Sequence, residues 1–90
     1  MDHICKKSHR YSTKFVEVPV DQGRTGRHKC AGCAYEKGKE AGKEMKTKLD
    51  LDAELQDLPL SQAGEVRHKS PHAAYALGYV EGVKEHYANR

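Results

Sequence analysis

Ninety residues with 37% apolar content, five Tyr, one Phe and no Trp point to a single small domain with a thin core. A mean hydropathy of −0.90, and no apolar run near the ~20 residues of a membrane span, argue against a transmembrane chain. MDHICKKSHR also lacks the apolar stretch of a secretory signal, so a cytoplasmic location is expected. The formal charge of +3 is uneven: residues 1–48 carry twelve Lys or Arg against six Asp or Glu, a net +6, and residues 49–90 carry four against seven, a net −3. A basic half suits a polyanionic partner or a solvated surface.

The N-terminal stretch HICKKSHRYSTKFVEV places His3, Cys5 and His9 close together. The alternating pattern from Lys14 to Val20 predicts a strand, forming a short N-terminal β-hairpin with the Tyr11 region. Next comes the motif RHKCAGCAYEKGKEAG over residues 27–42, which returns forty positions later as RHKSPHAAYALGYVEG over residues 67–82. Val18-Pro19-Val20 aligns with Leu58-Pro59-Leu60 at the same offset, and Gln22 with Gln62. The chain therefore contains an internal duplication, 18–42 and 58–82, and two copies are too few for an open solenoid. We expect one domain over 1–90: unit one at 1–48, an acidic and partly helical connector at 49–57, and unit two at 58–90.

Each unit reads as an extended proline segment, a polar loop and a helix. Ser70-Pro71 marks a helix start by side-chain capping and a proline at the first helical position, which predicts a helix from Pro71 to Ala88. Cys30-Ala31 holds the same two places in unit one, which predicts a helix from Ala31 to Lys48. Gly38 and Gly42, with Gly78 and Gly82, lie four apart on one face of each helix. An interior glycine costs about 1 kcal/mol against alanine, so close backbone contact is the expected reason, with Tyr35 and Tyr75 packing alongside. The second helix is apolar nearly all round from Ala73 to Val80 and is expected to be the more buried. The lysine-rich first helix is expected to be the more exposed. The expected fold class is thus α+β: a zinc-stapled domain with two main helices and an N-terminal hairpin.

Three cysteines leave a thiol over from any single disulfide, whereas three thiolates and a histidine complete a tetrahedral zinc site. Cys30-x-x-Cys33 at a helix start lets two sulfurs reach one ion where the helix dipole favours negative charge. The expected ligands are Cys5, His9, Cys30 and Cys33, with His3, His72 and His28 as alternatives for the fourth place. Against His28 stands its repetition as His68, in a copy without cysteines. An N-terminal ligand pair, a strand and a CxxC opening a helix resemble treble-clef zinc fingers and zinc knuckles over residues 3–45, although Ser8 stands where such folds often place another cysteine. The resemblance implies a Zn2+-binding module; nucleases of the His-Asn-His type also use treble-clef scaffolds, but the chain has no His-Asn pairing at suitable positions, so a non-enzymatic module is expected.

Other readings of CxxC are free thiols and a dithiol redox pair, but GRTGRHK precedes it rather than a buried strand. A catalytic zinc served by Glu36 has only an ordinary helix glutamate behind it. Lys6, Lys7, Arg10, Arg24, Arg27 and Lys29 are the candidate nucleic-acid-binding residues; a protein partner or homodimer is the other expectation. Nothing points to a small-molecule substrate.

Overall fold

The structure is a computed structural model that describes residues 18–19, 29–60 and 69–89. Three helices follow one another: α1 (Ala31–Lys43), α2 (Leu51–Leu55) and α3 (Pro71–Ala88). This corrects the α+β expectation. The described residues are mostly helical and hold no strand, only an isolated antiparallel bridge between Lys29 and Leu60. No hairpin is seen: Val18 and Pro19 are not strand residues, and residues 11–17 and 20 of the expected hairpin lie outside the described residues. At the described Pro19 the proline cannot donate to a ladder.

The duplication is expressed as an approximate two-fold. A Cβ on Gly38 would collide with the Tyr75 carbonyl oxygen, and a Cβ on Gly78 with the Tyr35 carbonyl oxygen. Gly42 stands in the same relation to Tyr79, and Gly82 to Lys39. Each pair maps onto the other by adding or subtracting forty. The backbones of α1 and α3 thus touch where side chains are missing, which is what offsets the helix-propensity cost of four glycines.

The flanking segments obey the same exchange, and they cross over. Cys30 N donates to Pro59 O at 2.9 Å, and Ser70 N donates to Pro19 O at 2.7 Å. The proline segment of each unit therefore pairs with the helix start of the other unit. Lys29 reinforces the crossing: its side chain, 8% exposed, donates from Nζ to Gln56 O at 2.9 Å and to Leu58 O at 3.0 Å. Lys69 is buried to the same degree. A buried ammonium needs such partners, because an unpaired one would cost several kcal/mol.

The core is made of small residues, Ala31, Ala34, Ala41 and Ala74 with Cys30 and Cys33, closed by Leu55, Leu58, Val18 and Tyr75. Tyr75 keeps its hydroxyl satisfied by donating to Glu54 Oε1 at 2.8 Å. Burial, then that bond, raises its pKa above the ordinary tyrosine value. Tyr79 donates to Lys46 O at 2.6 Å across the turn that follows α1.

That turn sets a second correction. α1 stops at Lys43 rather than Lys48, because Lys46 N donates to Ala41 O and Met45 N to Gly42 O, with Met45 at φ 55. This is a Schellman ending with methionine in the left-handed place that glycine usually takes, so no glycine announced it. Asp50 then caps α2 through Ala53 N at 3.4 Å. α3 spans Pro71–Ala88, with Ser70 Oγ accepting from Ala73 N at 3.1 Å.

The relative burial of the helices is the third correction. α1 buries seven of its thirteen residues, α3 five of eighteen. The apolar run of α3 lies only partly inside: Ala74, Tyr75 and Gly78 are buried, but Leu77 and Val80 are 42% and 51% exposed.

Candidate metal centre

Cys30 is the N-cap residue of α1, in extended backbone at φ −71 and ψ 115, and Cys33 sits three residues on in the first turn. Cys30 is fully buried, Cys33 is 8% exposed, and both are thiols rather than a disulfide. The first turn of α1 carries no acidic residue, so the positive end of the helix dipole meets these sulfurs without a competing carboxylate.

The second unit is a built-in control. Ser70 and Ala73 occupy the corresponding positions of α3, and there the N-cap side chain closes onto the backbone N–H three residues ahead. Cys30 makes no such side-chain cap bond. The backbone geometry is nearly the same, at φ −67 and ψ 116 for Ser70 against φ −71 and ψ 115 for Cys30. Cysteine in place of serine thus exchanges a capping hydroxyl for a pair of buried sulfurs.

Of the other proposed ligands, only His72 is described. Its Nε2 lies 3.3 Å from Asp52 Oδ1, turned towards α2. His3, Cys5, His9 and His28 lie outside the described residues. Among the described residues no group of three or more His, Cys, Asp or Glu assembles that could hold a metal, and Cys30 and Cys33 are the two expected cysteine ligands that lie within them. Two soft thiolates at a helix start fit zinc chemically. Glu36 is on the exposed side of α1.

Of the candidate phosphate-contacting residues, Lys6, Lys7, Arg10, Arg24 and Arg27 are outside the described part. Lys29 is inside it and spends its ammonium on two carbonyls, and Lys37 Nζ donates to Glu54 O at 2.6 Å. Both lysines bond carbonyls near the C-terminal end of α2, where the helix dipole favours cations. The repetition of Lys29 as Lys69 carried that structural message, by the same logic that sets His28 aside.

Elsewhere the α1–α3 seam is polar at its rim. Lys39 Nζ meets Glu85 Oε2 at 2.8 Å; the bond and its Coulomb attraction raise the lysine pKa, and the bond to Lys39 lowers that of Glu85. Both side chains are exposed, so the pair contributes little. His86 places Nδ1 2.9 Å from Lys43 O, and since a carbonyl only accepts, that nitrogen carries the proton. No family model matches the chain, and no curated protein or solved structure is significantly similar to it.

Proposed function

We propose that the protein is a non-enzymatic, zinc-stapled binding module whose first partner class is nucleic acid. The observation that carries the zinc is the pair Cys30 and Cys33, buried and reduced at a helix start where the second unit uses a serine cap instead. Cys5 and His9 complete the ligand set in this reading, with His3 or His28 in reserve. A reduced, metal-bound set of thiolates suits the cytoplasm. No described helix is long and apolar enough to cross a membrane.

The polyanion part rests on the net +6 of residues 1–48. Lys29 drops out of it, because its ammonium is already used, which leaves Lys6, Lys7, Arg10, Arg24 and Arg27. Phosphate contacts of this kind weaken steeply with salt. The zinc reading is tested by elemental analysis of protein purified without added metal: one zinc per chain supports it, none overturns it. The partner reading is tested on single-stranded and duplex oligonucleotides. Binding that falls at least tenfold between 50 and 200 mM salt, and further in a Lys6→Ala/Lys7→Ala/Arg10→Ala variant, supports it. No binding at low salt overturns it.

A further inference from the structure

The outer faces of α1 and α3 are related by the duplication, so each shows what the other would look like under the same packing. On α1 and its C-cap, Glu36, Glu40, Lys43 and Glu44 are exposed and charged, and Lys37 among them bonds the Glu54 carbonyl. The corresponding positions of α3 are Ala76, Leu77, Val80, Val83 and Lys84. Ala76, Leu77, Val80 and Lys84 are exposed, and Tyr87 extends the row at 55% exposure. Packing against α1 does not account for this, since the glycine face of α3 already makes that contact.

Leu77, Val80, Lys84 and Tyr87 follow one another at spacings of three, four and three, the seam of a helix that pairs with another helix, and Ala73, four residues before Leu77, is half-buried against the core. We propose that this face of α3 is a homodimer surface, taking α3 of a second copy of this chain in antiparallel register about Val80. In that register Val80 meets Val80 of the partner subunit, and Leu77 meets the stem of the partner's Lys84.

Charge selects this occupant. Among the described residues the charged groups along the face are Lys84 and Glu81, paired at 3.1 Å, so two copies bring together faces whose described charges cancel. In that contact the stem of Lys84 would lie along apolar neighbours while its ammonium stays in water. A polyanion finds no run of cations here, and an anionic lipid surface needs a basic flank that one lysine does not provide. The charged outer face of α1 disfavours head-to-tail stacking, so the assembly closes at two by an isologous contact. One five-turn helix seam is smaller than a standard stable interface, so the association is in the micromolar range or weaker.

This proposal goes beyond the zinc and polyanion readings and depends on neither. Sedimentation equilibrium of the full chain, from about 5 to about 500 micromolar, tests it. The average mass is expected to climb from 10.1 kDa towards twice that value. Val80→Glu and, separately, Leu77→Gln, both at exposed positions, are expected to weaken association at least tenfold with unchanged helical circular dichroism. A mass that stays monomeric throughout overturns the proposal. So does self-association that neither variant weakens, because the contact then lies elsewhere.

Discussion

The starts of α1 and α3 are the same backbone with different fastenings. Cys30 and Ser70 hold N-cap conformations within a few degrees of each other, and each donates its backbone N–H to the proline carbonyl of the other unit. Serine then closes the helix end with its own hydroxyl, and cysteine leaves that bond unmade. The difference teaches that a duplicated scaffold can keep its crossing geometry while one copy changes how its helix start is closed. The shared glycines, tyrosines and lysines belong to the crossing; the cysteines belong to one copy alone.

The largest expected effect breaks both halves equally. Gly38→Ala and Gly78→Ala each push a methyl into a carbonyl of the facing helix. Overpacking against backbone outweighs the ~1 kcal/mol gained in helix propensity, and a loss of about 3 kcal/mol is expected for each in urea unfolding. Equal losses support the two-fold relation; a loss in only one variant breaks it. Lys29→Ala comes next. It strips two carbonyls of a charged donor and is expected to cost about 2 kcal/mol by the same measurement. Ser70→Ala removes the cap of unit two alone, at about 1 kcal/mol. Met45→Gly should move the other way and stabilise by about 0.5–1 kcal/mol, since the left-handed position at φ 55 suits glycine.

Tyr75 adds a pH dependence. Its folded pKa is raised, so the stability that its neutral hydroxyl contributes is complete below about pH 10 and is lost as pH rises beyond it. Tyr75→Phe should flatten that alkaline decline in thermal melts between about pH 9 and 11. A decline of equal slope in the variant would assign it to other groups.

Part of this was legible in the sequence. The offset of forty located both units, and Ser70-Pro71 fixed the first residue of α3, because capping chemistry is local. The early stop of α1 was not, since a methionine takes the place where glycine would have signalled it. Nor does a linear repeat say which proline segment pairs with which helix start; the exchange between units is a property of the closed fold. The exposure of Leu77 and Val80 is not legible, because composition does not say which face is already occupied, and here the glycines take the inner one. For the candidate metal centre, the sequence placed Cys30 and Cys33 at one helix start, while Cys5 and His9 lie outside the described residues.

The most direct test transplants one fastening onto the other. In a Cys30→Ser/Ala31→Pro/Cys33→Ala variant, unit one starts its helix as unit two does. Thermal unfolding with and without a strong zinc chelator should show a melting temperature that drops sharply for the wild-type chain on chelation and does not move for the variant. A wild-type chain whose melting temperature ignores the chelator would contradict the metal-fastened half outright.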